Sequence, residues 1–323
     1  MSLKKNSNGN SEKPALNRVI VILGPTASGK TELSISLAKK IGGEIVSADS
    51  MQIYKKMNIG TAKPSAGLLK EIPHYLINII EPDENFSAGR FKAMAEASIE
   101  KIFSNKKIPI ISGGTGLYIK TLTDGLCECP PENMEIRAKL AILAQQRGNQ
   151  YLYSRLLKAD RASAENMHMN NIRRVIRALE VFETSGIKMS SWQKRMKKPY
   201  YNFIMFGLKW ERNTLYGQID KRVEEMFNRG FIKEVENLLE SGYSDNLRSM
   251  QSLGYKHIIG YLHKEYDMPI LVELVKRDTR RYAKRQLTWW RSDKRIQWLD
   301  MNEGIDKNLE VIYRTMKEEV VSR

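Results

Sequence analysis

Residues 24–31 read Gly24-Pro25-Thr26-Ala27-Ser28-Gly29-Lys30-Thr31, the pattern G-x-x-x-x-G-K-[ST] without deviation. A loop of this kind turns backbone N–H groups toward phosphate oxygens, while the lysine adds a point charge and the final hydroxyl reaches a metal ion. Its surroundings narrow the fold. Val19-Ile20-Val21-Ile22-Leu23 just ahead is a continuous apolar run, as in a strand buried on both faces of a parallel sheet. Beyond the loop Leu33, Leu37 and Ile41 recur at helical spacing, and Gly42-Gly43 closes the helix. Strand, glycine loop and helix N-terminus together make an anion site. The loop predicts a bound di- or triphosphate. Kinases, hydrolases and other transferases could all use it.

The alternation of strand and helix continues to about Gly125. Glu44-Ile45-Val46 reads as a strand that ends at Ser47-Ala48-Asp49-Ser50, and Leu76-Ile77-Asn78-Ile79-Ile80 reads as another. A helix is predicted from about Ala88 to Phe103, followed by the strand Ile108-Pro109-Ile110-Ile111, which opens into Gly113-Gly114-Thr115-Gly116. Such alternation predicts an α/β fold, a P-loop NTPase-like parallel sheet flanked by helices, with ligands at the carboxyl ends of the strands. After Pro130-Pro131 the pattern turns helical and basic. No strand is predicted until Asn202-Phe203-Ile204-Met205-Phe206-Gly207-Leu208, read as the final core strand. The expected organisation is a disordered tail at 1–16, a core of 17–125 plus 201–323, and an inserted all-helical domain at 126–200. Amphipathic helices are expected around Leu215–Met226, from Phe231 to Glu240, and from Ile270 to Trp290.

The chain of 323 residues carries 53 Lys and Arg against 37 Asp and Glu, a net charge of +16. An excess of this size favours a polyanionic partner, above all nucleic acid. The only two cysteines, Cys127 and Cys129, stand too close for a zinc knuckle and form no disulfide framework, which fits a reducing cytoplasm. No apolar stretch approaches the ~20 residues needed to span a membrane, and the polar start, Met1 to Pro14, is no signal peptide.

Phosphate chemistry can be divided by where the carboxylates stand. A P-loop protein that hydrolyses nucleotides usually ends a second apolar strand in an acidic residue that helps hold Mg²⁺. Here that strand ends in Ser112-Gly113-Gly114, and the carboxylate after a core strand is Asp49. Asp49 is better suited to take a proton from an incoming nucleophile. Either a hydroxyl attacks the terminal phosphate of ATP, as in small-molecule kinases, or the phosphates leave from carbon as a nitrogen attacks. The loop serves both, since it stabilises charge developing on phosphate oxygens.

Neighbouring segments carry a resemblance. Asp49-Ser50-Met51-Gln52-Ile53-Tyr54 and Met57-Asn58-Ile59-Gly60-Thr61-Ala62-Lys63-Pro64 resemble the signature of tRNA dimethylallyltransferases. Gly113-Gly114-Thr115-Gly116-Leu117-Tyr118 is similar to that family's second glycine motif, and Arg173-Arg174-Val175-Ile176-Arg177-Ala178-Leu179-Glu180-Val181 to its insertion helix. Gly254-Tyr255 and the run from Tyr282 to Arg291 resemble its C-terminal tRNA-binding segments. One departure is His168-Met169-Asn170-Asn171, where the family often has His-Pro-Asn-Asp; Asn should still cap the helix that follows. Longer relatives carry a C-terminal zinc finger that these residues do not include.

The resemblance implies transfer of a dimethylallyl group from dimethylallyl diphosphate to N6 of the adenosine 3′-adjacent to the anticodon. In that reading Asp49 is the general base, Thr115 and Arg222 act at the reacting centre, and residues 24–31 hold the diphosphate, with Thr31 on Mg²⁺. The tRNA anticodon stem-loop would meet Asp49, Ser50, Met51, Gln52 and Thr115, then Arg137, Arg173, Arg174 and Arg177 of the insertion. It would also meet Gln251, Gly254, Tyr255, Lys256, Lys284, Arg285, Gln286 and Arg291. Arg173, Arg174 and Arg177 are spaced to share one helical face, and loop bases are read by stacking and edge contacts after leaving the stack. The expected enzyme is cytoplasmic and monomeric. An ATP-dependent kinase, an RNA-binding regulator without chemistry, and a prenyltransferase acting on free AMP are the competing readings. The basic helices count against the last, because a mononucleotide needs neither.

Overall fold

The structure, a computed structural model, describes residues 18–196 and 199–321. The expected tail at 1–16 lies outside the described residues. Packing divides the chain into two compact units, one built from residues up to Thr123 together with those from Tyr200 onward, the other from Asp124–Pro199.

In chain order the first unit contributes β1 (Arg18–Leu23), α1 (Lys30–Ile41), β2 (Gly43–Ser47), α2 (Ala66–Glu71), β3 (His74–Tyr75), α3 (Ala88–Ser104), β4 (Ile108–Gly113) and α4 (Gly116–Thr123). The second unit holds α5 (Met134–Arg147), α6 (Asn149–Ala159), α7 (Arg161–Glu165), α8 (Ile172–Ser185) and α9 (Met189–Lys194). The first unit resumes with β5 (Asn202–Lys209), α10 (Arg212–Asn228), α11 (Phe231–Glu240), α12 (Tyr255–Leu262), α13 (Met268–Trp290), β6 (Ile296–Asp300) and α14 (Ile305–Val321).

The six strands form one sheet in the order β3-β2-β4-β1-β5-β6, every neighbouring pair parallel. β1 lies inside, with Ile20 beside Ile110 of β4 on one side and Ile204 of β5 on the other. Alternate residues then face opposite layers. Val19, Val21 and Leu23 pack with Phe91, Ile99 and Ile102 of α3 and Ile119 of α4. Ile20 and Ile22 pack with Leu33 and Leu37 of α1 and Leu309 and Ile312 of α14. Each fully buried side chain of this kind contributes roughly 1.5–3 kcal/mol over exposure, which is why the strand reads as unbroken apolar sequence.

Three expectations are corrected. Leu76–Ile80 is not a strand: Leu76 (φ 63°) and Asn78 (φ 57°) are left-handed, so the chain turns after the two-residue β3. Leu76 and Ile80 are still buried, and Ile80 makes only an isolated bridge to Tyr54. β5 is not the last core strand, because β6 adds outside it with Ile296 beside Met205. Asn171 stands at the N-cap of α8, but its side chain makes no capping hydrogen bond.

A further cluster positions the site. Ile53, Tyr54 and Met57, from the segment after β2, pack with Val223 of α10, Phe231 and Val235 of α11, Tyr255 and Ile258 of α12, and Leu271 and Val275 of α13. Among its described residues the second unit has helices as its regular elements and closes on Leu140, Leu152, Leu156, Val175 and Leu179. There buried Asp160 accepts hydrogen bonds from Ser163 and Ser190, tying α7 to α9. Buried Glu180 accepts from Arg137 and from the Asn133 N–H.

Candidate active site

The loop between β1 and α1 folds as its glycines allow. Gly29 caps α1 in the left-handed region (φ 86°), and Ala27 shares that region (φ 60°). A Cβ on Gly24 would lie 2.9 Å from Ser28 Oγ, so only glycine fits without a shift. The first turn of α1 has no side-chain cap, which leaves its N–H groups for an anion. Ser28 Oγ is buried and has no hydrogen-bond partner among the described residues. Lys30 Nζ donates to Pro25 O at 2.6 Å. Burial, helped by the nearby Arg222 guanidinium and opposed by Asp49, brings the Lys30 pKa down to about 7. Burial also lowers the pKa of Arg222, against the pull of Asp49 and Glu225.

These groups open on a cleft of ≈670 Å³ within the first unit, walled by the loop, the Asp49–Gln52 turn, Arg222 of α10, the segment Gln251–Lys256, and one face of α13. Asp49 follows β2 directly and is fixed by its own turn, Oδ1 accepting from Met51 N (2.8 Å) and Gln52 N (3.4 Å). Ser50 and Met51 line the cleft beside it. Gln52 Oε1 accepts from Ser47 Oγ, and its amide nitrogen points back to Thr61 O and Ala62 O. A carboxylate, two desolvated cations and a row of free amides therefore share one cleft with Phe231, Tyr255 and Tyr282.

Two expected site residues spend their polar groups on the protein itself, Gln286 at the edge of the cleft and Thr115 outside its lining. Thr115 does not line the cleft; its hydroxyl accepts from Ser50 N (2.9 Å) and faces Ser50 Oγ (3.3 Å). It fastens the Asp49 turn to the second glycine motif. Gln286, expected on tRNA, is only 7% exposed. Its Oε1 accepts from Thr26 N (2.8 Å) and its Nε2 donates to Gly114 O (2.9 Å), so the amide is consumed in joining the two glycine segments to α13.

A family model described as IPP transferase matches residues 52–293, well over half of the chain. The chain belongs to this family. Similar relatives include the tRNA dimethylallyltransferase of Acetivibrio thermocellus, 47% identical over 313 residues that cover 93% of this chain and 98% of that one. That of Halothermothrix orenii is 48% identical over 299 residues, covering 92% and 91%. Among solved structures, the tRNA isopentenylpyrophosphate transferase of Bacillus halodurans superposes with a TM-score of 0.71 at 36% identity, covering 94% and 97%. A eukaryotic dimethylallyltransferase acting on tRNA superposes at 0.78 with 29% identity, covering 94% and 79%. The glycine loop at 24–31 lies ahead of the span matched by the IPP transferase model.

The remaining basic residues of this IPP transferase divide by what they touch. Arg173 and Arg174 are exposed on α8, whereas Arg177 turns inward. Its guanidinium meets Glu180 at 3.1 Å, Pro130 O at 2.6 Å and Cys129 Sγ at 3.3 Å. Arg137 is held between Glu180 and Glu132, both at 2.8 Å. On α13, Arg285 lines the cleft and stacks over Tyr282, while Lys284 and Arg291 are exposed outside it. Gln251, Gly254, Tyr255 and Lys256 all line the cleft. Arg281 and Tyr282, from the basic last helix that the sequence pointed to, line it too, as do Ser252 and Phe231, which sequence reasoning missed. Phe231 gave no signal beyond that of an ordinary core position.

Proposed function

We propose that this chain transfers the dimethylallyl group of dimethylallyl diphosphate to N6 of the adenosine 3′-adjacent to the anticodon of tRNA, forming N6-isopentenyladenosine and diphosphate. The family supports prenyl transfer to tRNA. The observation that carries the finer reading is Asp49 in one cleft with Lys30 and Arg222, while the strand that could supply a nucleotidase carboxylate ends in Ser112-Gly113.

Adenine N6 is a poor nucleophile because its lone pair is delocalised into the ring. Asp49 accepts the N6 proton as the N6–C1 bond forms, a contribution of typically 10²–10⁴-fold. The C1–O bond breaks at the same time, and its electron pair leaves on the diphosphate. Lys30, Arg222, the loop amides and the Ser28 hydroxyl receive that charge in a desolvated site. Thr115 acts indirectly, by holding the Asp49–Ser50 turn.

Mg²⁺ suits the donors present. Among the described residues no cluster of three or more His, Cys, Asp or Glu could hold a metal by itself. Mg²⁺, however, keeps water and is commonly bound through substrate phosphates plus one or two protein oxygens. The Thr31 hydroxyl would be its protein ligand, and the ion would neutralise charge on the departing diphosphate. No helix among the described residues is long and apolar enough to cross a membrane, and a cytoplasmic monomer completes the reading.

The test supplies labelled dimethylallyl diphosphate and unmodified tRNA, with labelled ATP in a parallel reaction. Label should enter tRNA at the adenosine beside the anticodon, and ATP should be left intact. Transfer or hydrolysis of the ATP phosphate without labelled tRNA would establish the kinase reading in its place.

A further inference from the structure

We propose that Glu234, on α11 outside the lining of the cleft, is the positioning residue for the wall that receives the acceptor base, an inference that rests on the prenyl-transfer reading above. Four donors converge on its carboxylate. Oε2 accepts from Asn58 N (2.8 Å) and Ile59 N (2.7 Å). Oε1 accepts from Gly60 N (3.1 Å) and from the Tyr255 hydroxyl (2.7 Å). A single side chain thus ties the Asn58–Gly60 turn to α12. Gly60, Thr61, Phe231, Gly254 and Tyr255 are contiguous in the cleft lining.

The turn also has no slack on its other sides. A Cβ on Gly60 would lie 2.2 Å from the Phe231 ring and 2.6 Å from that of Tyr255. Lys63 Nζ anchors the far side on Asn58 Oδ1 (3.2 Å), Asn78 Oδ1 (2.6 Å) and Tyr54 O. The turn in turn offers Thr61 O and Ala62 O to the Gln52 amide, whose orientation in the cleft depends on where those carbonyls stand.

The chemistry requires a carboxylate in particular. Three of the four donors are backbone N–H groups that cannot reverse, and an ionised carboxylate is all acceptor. A carboxamide in either orientation would set its own N–H₂ against at least one backbone N–H. Hydrogen bonds to a charged acceptor are among the stronger ones a protein makes, so one substitution should loosen the wall without touching the phosphate loop.

The experiment compares E234Q with wild type by steady-state prenyl transfer, and by binding of an anticodon stem-loop, which needs no turnover. E234Q should raise the KM for tRNA and the stem-loop Kd on the order of 10-fold. Its kcat and its KM for dimethylallyl diphosphate should stay within about twofold. G60A, which pushes the same turn from the opposite side, should show the same split, and it decides the matter if E234Q does not fold. A folded variant with unchanged stem-loop affinity overturns the proposal, as does one in which both substrates weaken together. If wild type transfers no label to tRNA, the functional reading fails, while the stem-loop measurement still judges Glu234.

Discussion

In the proposed reaction Lys30 is desolvated in the loop and must be charged to hold the diphosphate. Burial, reinforced by Arg222, brings its pKa down to about 7 in the ligand-free cleft. A bound diphosphate favours the charged form and raises that pKa, so binding above pH 7 must take up a proton. Affinity for the diphosphate should therefore fall as pH rises above 7. Calorimetry in buffers of different ionisation enthalpy should record proton uptake, and its absence at pH 8 would remove Lys30 from the phosphate site. Asp49 calls for a different substitution. Because Oδ1 holds its own turn, Asp49→Asn keeps that acceptor and removes only the base. Single-turnover transfer should drop by about 10²–10⁴ while tRNA Kd stays within about twofold; a comparable loss of tRNA affinity would make Asp49 a binding residue. Asp49 and Lys30 were legible as candidates from residue type and position after a core strand, whereas Arg222, in the middle of a helix, was suggested by the family resemblance alone. The partners of Thr115 and Gln286 were not legible, because a hydroxyl or amide beside a ligand site can also bond to the protein, and only tertiary packing decides which.

Among the elements, α8 shows what a charge pattern conceals. Its three arginines have the spacing of one solvent face, but Glu180 is fully buried one turn away and draws Arg177 and Arg137 to itself. Burial pushes the Glu180 carboxyl up, and the hydrogen bonds from Arg137, Asn133 N and Arg177 more than reverse this, leaving it below its ordinary value. A depressed carboxylate contributes stability that is present above its unfolded pKa and lost as pH falls through its folded one. Melting of the helical unit should accordingly become acid-sensitive below about pH 4.5. Glu180→Ala, which leaves Arg177 without a carboxylate partner and Arg137 with Glu132 alone, should cost about 3 kcal/mol at neutral pH, read from chemical denaturation; a change under about 1 kcal/mol would show the cluster to be solvated. Misread strands have a related origin. Leu76–Ile80 has the composition of a buried strand and buries both its ends, but two left-handed residues break it. β6 escaped notice because an edge strand of five residues, with Gln297 exposed and only Ile296 and Leu299 fully buried, carries too short an apolar signal.

For the whole molecule, the parallel core was legible because inner strands must be apolar on both faces, and α1, α3 and α13 fell close to their expected spans. The order of the strands was not, since no local pattern states that β1 lies between β4 and β5. Net charge belongs to this scale too. With +16 overall, tRNA affinity should fall on the order of 10-fold or more between about 50 and 200 mM salt through counterion release. Dimethylallyl diphosphate, held inside a cleft, should lose far less. Filter binding and calorimetry at matched ionic strengths would show the contrast, and parallel salt slopes would remove it. The Gln286 bridge has a consequence for synthesis. Thr26 is held by a residue 260 positions later in the chain, so a ribosome at ~5–20 residues per second spends tens of seconds extending a nascent polypeptide whose glycine loop still lacks its clasp. The ability to grip diphosphate is acquired late in translation, and truncated products should leave the isoprenoid pool untouched.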